Sequence, residues 1–127
     1  MYKYYTLKDG FNLRLFEFSE KTSNDDFNLF KRDFDKLLNK KEPFVAIFNL
    51  LKVNSFNINF FYQKMNYIYS NEELVKRYLK ASSIVISSSY IKLIELGFVF
   101  KKPITPNYIT DKLEKGVEYL VQLYQKN

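Results

Sequence analysis

Two short groups of side chains in this sequence could act on a ligand. The first is Asn49, Asn54, Ser55 and Asn57, at and after the apolar run Phe44–Leu50. The second is Ser87, Ser88 and Ser89, at the end of a β-branched run that begins at Ser83. If both runs are strands that lead into helices, these residues stand where helix N-termini begin. Free N–H groups, amides and hydroxyls at such a point can hold a phosphate or another anion, and a serine there can itself be phosphorylated. The same residue types also cap helices with no ligand present. Both readings stay open for Asn49, Ser87, Ser88 and Ser89 as an anion or ligand crevice.

The composition removes most other chemistry. The 127 residues contain no histidine and no cysteine. Without them there is no imidazole base, no thiolate nucleophile, no disulfide and no Cys/His zinc site. The expectation is therefore no enzyme, no metal and no cofactor, in a chain that fits a reducing, cytoplasmic setting. Glycine occurs only at Gly10, Gly97 and Gly116, which leaves no glycine-rich phosphate loop. The carboxylates Asp25, Asp26, Asp33 and Asp35 fall in and around one amphipathic segment and read as a solvated helix face. Met1–Tyr5 lacks the pattern of a signal peptide, and no apolar run approaches the ~18 residues of a membrane span.

The formal charge is +6, from 20 Lys+Arg against 14 Asp+Glu. Only Arg14, Arg32 and Arg77 among the 20 basic residues are arginine, whereas nucleic-acid readers favour arginine forks. The lysine excess accompanies abundant Asn, Ile, Phe and Tyr, a codon-bias signature. Nucleic acid is thus not the expected partner, and a membrane surface is a weak alternative. Lys101-Lys102 beside Pro103 reads as a solvated loop.

The elements that must position these residues follow from periodicity. Phe44–Leu50 has six apolar residues in seven, without alternation, which suits a strand covered on both faces. Tyr2–Leu7 and Phe11–Ser19 flank Asp9-Gly10, a hairpin signal. Leu15 and Phe16 are both apolar, a slip of phase that predicts a bulge or strong twist near Leu15. Ser23 and Asp26 have capping-box spacing ahead of Phe27, Phe30, Phe34, Leu37 and Leu38. A second helix carries Ile58, Phe61, Tyr62, Met65, Ile68 and Tyr69, capped by Ser55 or Asn57. Ser70 with Glu73 predicts a further capping box and helical piece through Leu79. Ser83–Ser87 reads as a buried strand. Ser88 or Ser89 then caps a helix ending at Gly97, and Phe98–Phe100 reads as extended. Asn107–Ile109 is a last strand. Thr110 is expected to cap a final helix bearing Leu113, Val117, Leu120, Val121 and Tyr124.

This order predicts one α/β domain over residues 1–127. It has a single-layer, mostly parallel sheet of four to five strands, an N-terminal antiparallel hairpin and about four flanking helices. The adjacent, central, parallel strands should be Phe44–Leu50 and Ser83–Ser87.

Three passages resemble the STAS domain (sulfate transporter and anti-sigma-factor antagonist) of short stand-alone bacterial proteins. They are Phe44–Leu50 leading to Asn54-Ser55, the stretch Ala81–Ser87, and the tail from Lys102-Pro103-Ile104-Thr105-Pro106 to Val117–Leu120. The resemblance implies a non-enzymatic regulatory module that docks on another protein, often a kinase-like regulator. It also implies a phosphorylation switch at Ser55, with Asn54 and Asn57 as partner contacts. The family sets its serine in Asp-Ser-x-Gly, where this chain has Asn54-Ser55-Phe56-Asn57. A homodimer is a further option. The alternative reading is a small-ligand or lipid-headgroup binder that uses the crevice at the C-terminal ends of the strands.

Overall fold

The computed structural model describes residues 1–8, 12–21, 23–54 and 56–126. The order is β1 (Tyr2–Lys8), β2 (Asn12–Glu20), α1 (Asn24–Asn39), β3 (Phe44–Val53), α2 (Ile58–Ser70), α3 (Glu72–Tyr78), β4 (Leu79–Val85), α4 (Ser88–Phe100), β5 (Asn107–Thr110) and α5 (Leu113–Lys126). One sheet runs β1-β2-β3-β4-β5, antiparallel between β1 and β2 and parallel thereafter. The Asp9-Gly10 turn and Phe11 lie outside the described residues.

β3 lies between β2 and β4 and is buried on both sides. Phe44, Ala46 and Leu50 join one core, together with Phe16, Phe18, Ile84, Ile86 and residues of α1, α2, α3 and α4. Val45 and Ile47 join the other, with Leu13, Ala81, Val85 and Leu120 of α5. Four helices thus cover one face and a single helix covers the other. That helix comes very close: a Cβ at Gly116 would sit 3.1 Å from Val85 Cγ2, and Ser83 Oγ donates to the Gly116 carbonyl at 2.9 Å.

The larger core is built from aromatic rings. Phe16 stacks on Tyr4 at 5.1 Å and on Phe48 at 5.5 Å, and meets Phe30 edge-on at 5.3 Å. Phe30 also contacts Phe18 and Phe34. Offset and edge-to-face pairs of this kind add about 0.5–1.5 kcal/mol beyond simple burial.

Several local expectations are corrected. Leu15 and Phe16 require no bulge, because they face opposite covered sides: Leu15 packs with the α5 core and Phe16 with the α1 core. The β1–β2 register is continuous, and the irregularity falls between Glu17 and Ser19 in the pairing with β3. β4 begins at Leu79, four residues before Ser83, and ends at Val85. Ser70 forms no capping box: its hydroxyl donates to the Tyr67 carbonyl, and Asn71 precedes α3. α4 continues through Gly97 to Phe100, so Phe98–Phe100 is helical. Gly97 serves packing instead of termination, since a Cβ there would lie 2.9 Å from the Tyr62 hydroxyl. Thr110 belongs to β5 and accepts from Lys112 N–H ahead of α5. Asp33 is buried, not solvated; it accepts from the Tyr2 hydroxyl at 2.8 Å and pairs with Arg32 at 3.3 Å. The Ser23–Asp26 capping box forms as its spacing indicates.

The aromatic cluster makes Phe30 a sensitive position. Phe30→Ala is expected to cost about 3–5 kcal/mol. Lys102→Ala, at an exposed site, should cost about 0.5 kcal/mol or less. Urea denaturation of both variants checks this. Similar small losses would place the core elsewhere.

Candidate functional site

The C-terminal ends of the parallel strands carry the candidate site, on the face covered by α1 and α2. β3 ends at Val53, and α2 starts after Asn57. Asn57 is the N-cap: its side-chain oxygen accepts from Asn59 N–H at 2.9 Å and Phe60 N–H at 3.2 Å. That leaves Asn57 at the rim with its acceptor already committed. β2 ends at Glu20, whose φ of 56° is left-handed, and its carbonyl accepts from Asn54 N–H. The chain turns there, which places Lys21 on the same rim.

Between these strand ends and α2 lies a cleft of about 420 Å³, lined by Lys21, Leu50, Val53, Asn54, Phe56, Asn57, Phe60, Phe61 and Lys64. Lys64 is its deepest charge. It sits on the second turn of α2 and is only 9% exposed. Among the described residues it forms no ion pair. Its ammonium instead lies 3.8 Å from the Phe18 ring centroid and 4.8 Å from that of Phe60. Burial pushes its pKa down from 10.5 to about 7, and the carboxylate of Asp26 opposes that shift. Asp26 is itself engaged at the start of α1, accepting from Ser23 N–H at 3.0 Å.

Lys64, Leu50 and Phe61 also line a second, interior cavity of about 50 Å³ between the sheet and α2, α3 and α4. Its walls are otherwise mainly apolar, with Phe18, Phe48, Ile68, Val75, Ile84 and Phe98 among them. The 103–105 connection closes it from outside, held by hydrogen bonds from the Tyr69 hydroxyl to the carbonyls of Lys101 and Lys102. At its far end, Asn107 donates to Ser82 Oγ at 2.7 Å, while Asn107 Oδ1 is buried without a partner.

The residues singled out in the sequence are divided between different places. Asn54 and Asn57 line the cleft, and Ser55 lies outside the described residues. Asn49 is buried and donates to Glu17 Oε1 at 3.2 Å, while its own oxygen accepts from Leu51 N–H. Ser87, Ser88 and Ser89 are exposed around the start of α4. Ser87 Oγ and Ser89 Oγ lie 3.3 Å apart, and Ser87 makes no side-chain capping bond. Lys21, Lys64 and Phe60 were missed. The available signal was a lysine at position 64 between Phe61 and Ile68 on the apolar stripe of α2. No three His, Cys, Asp or Glu side chains gather among the described residues, and no helix there is long and apolar enough to cross a membrane.

Comparison with known proteins bears on this geometry through the fold. No protein-family model and no curated protein matches the sequence. Among solved structures, the chain is similar to an uncharacterised protein of the DUF3478 family from Shewanella loihica PV-4, which has a SpoIIAA-like fold. The TM-score is 0.68 at 9% identity, covering 94% of this chain and 95% of that one. This chain therefore has the SpoIIAA-like fold, which is the STAS-like fold.

The buried ammonium has a pH signature. Lys64 binds its proton less tightly when folded than when unfolded, so its burial penalty is full below about pH 7 and fades as pH rises towards 10.5. Lys64→Met should therefore raise the melting temperature most at about pH 6, and by progressively less between about pH 7 and pH 10. Thermal melts across that range check it. A difference independent of pH would mean that Lys64 is solvated.

Proposed function

We propose that this chain is a non-enzymatic regulatory module that acts by docking on another protein through α4. The observation that carries this reading is the composition of that helix. α4 is apolar around most of its circumference, yet it lies at the surface. Ile94 is fully buried, whereas Leu93, Leu96, Val99 and Phe100 are 40%, 57%, 72% and 85% exposed. Leu93, Leu96 and Phe100 recur at i, i+3 and i+7, which forms one stripe. A helix of this kind ordinarily has apolar neighbours on both sides. The SpoIIAA-like fold is consistent with a module of this class.

The flanking charges select the partner. Lys92, Lys101 and Lys102 border the stripe against a single acid, Glu95, and all four are exposed. With a net charge of +6, a second copy would be repelled. The fitting occupant is a protein with an apolar groove and an acidic rim. Ser55 belongs to the same reading as the switch residue. Phe56, next to it, contacts Tyr90 of α4 with ring centroids 4.9 Å apart, so a change in this loop reaches the docking helix. A phosphate would bring about −1.5 to −2 charges to a surface that recruits acid.

A photo-crosslinker at Leu96, with one at Tyr5 as control, should trap an identifiable protein only from position 96. Reconstituted with that purified protein, Leu96→Glu/Phe100→Glu should bind at least about ten-fold more weakly, a loss of about 1.4 kcal/mol, with little change in melting temperature. Equal binding by wild type and variant would remove α4 as the docking surface. Self-association of the wild type in sedimentation, or flotation with anionic vesicles that the variant loses, would replace the protein partner with a dimer or a membrane. In the same assay Ser55→Asp should weaken binding while Ser55→Ala preserves it; identical affinities would exclude the switch.

A further inference from the structure

The cleft and the interior cavity are joined at Lys64. Three residues, Leu50, Phe61 and Lys64, line both spaces, so the ammonium stands where an open, lysine-rimmed mouth meets an apolar interior. Burying an ammonium without an anion is costly, and buried charges in proteins are ordinarily paired. Here the partners are two aromatic rings, which hold the cation but do not neutralise it. Lys21, exposed on the opposite rim, supplies a second positive charge facing the same space. The acids nearby are Asp26, committed to the α1 cap, and Glu20, exposed at the end of β2.

We propose that the cleft and the cavity form one binding site for an anionic amphiphile, with its carboxylate or phosphate head on Lys64 and Lys21 and its aliphatic chain in the cavity. Each half of such a ligand meets the matching half of the site. The head gives Lys64 the counter-charge that the chain itself does not provide. The tail is short: it enters a space of about 50 Å³ walled by Phe18, Phe48, Ile68 and Ile84. That space exceeds the ~10–15 Å³ that holds one water, has room for about three methylene-sized groups and offers few polar groups to water. Asn107 Oδ1, the unpartnered acceptor at the far end, sets the depth at which a purely aliphatic chain stops. The inference is independent of docking by α4, because the site lies on the inner side of that helix, where Phe98 lines the cavity.

Calorimetric titration of the full chain at about pH 6, where Lys64 is largely charged, tests the site with four probes: butanoate, butyl phosphate, butanol and inorganic phosphate. At least one of the first two should bind with one-to-one stoichiometry, and butanol and inorganic phosphate at least about ten-fold more weakly. Binding of butanoate alone identifies a short-chain carboxylate as the type of ligand, and binding of butyl phosphate alone a short-chain phosphate ester. Lys64→Met should reduce affinity for the binding anion at least about ten-fold, to the level of butanol. Lys21→Met, at an exposed position that does not threaten folding, should reduce it about three-fold or more. The proposal is overturned if neither anion binds the wild type, if butanol binds as tightly as the anion that binds best, or if Lys21→Met leaves the affinity of that anion unchanged. It is also overturned if a folded Lys64→Met does so.

Discussion

A strand with no polar face must be covered on both sides, and β3 is such a strand. Phe44, Ala46 and Leu50 point into one core, and Val45 and Ile47 into the other. The rest of the architecture follows from meeting that demand. Parallel partners on both edges of β3 require crossover connections, and those connections supply helices to cover the sheet. On one side the cover is α5 alone, which can lie close because Gly116 offers no Cβ to Val85 and Ser83. On the other side four helices share the work, and the fit between them is less close. Large rings such as Phe18, Phe48 and Phe61 leave a gap that no side chain fills.

The placement of Lys64 at the edge of that gap is the main departure from a well-matched core. A methionine of similar length would fill the same position at lower cost. The rings of Phe18 and Phe60 compensate in part, and the carboxylate of Asp26 helps without pairing. Elsewhere in the same core, with Asn107 Oδ1 as the exception, buried polar groups have partners. Asp33 accepts from Tyr2 and Arg32, and Ser82 accepts from Asn107. The contrast makes Lys64 a local feature of the cleft and not a general looseness of packing.

α4 joins the two surfaces described above. Its inner side presents Ile94 to the core and Phe98 to the cavity, and its outer side exposes Leu96, Val99 and Phe100. Tyr62 of α2 packs against Gly97, so α4 and α2, the helix that carries Lys64, are in direct contact. The first turn of α4 is reached from the cleft as well, through Phe56 and Tyr90. Neighbouring elements thus connect the strand-end loop, the buried lysine and the exposed apolar stripe within one layer of helices.

Strand and helix types, their order, the hairpin and the Ser23–Asp26 cap could be read from the sequence, because hydrophobic period and capping chemistry are local properties. So was the central, doubly buried β3. Tertiary structure decided what depends on partners distant in sequence. It assigned Leu15 and Phe16 to opposite cores, drew β4 back to Leu79, carried α4 through Gly97 where Tyr62 needed space, and buried Asp33 beneath Tyr2. The candidate site divided along the same line. Polar residues beyond the strand ends were visible in the chain, but Lys64 was not. In the sequence it is one lysine among seventeen, and only the packing of α2 against Phe18 of β2 removes it from water without giving it an acid.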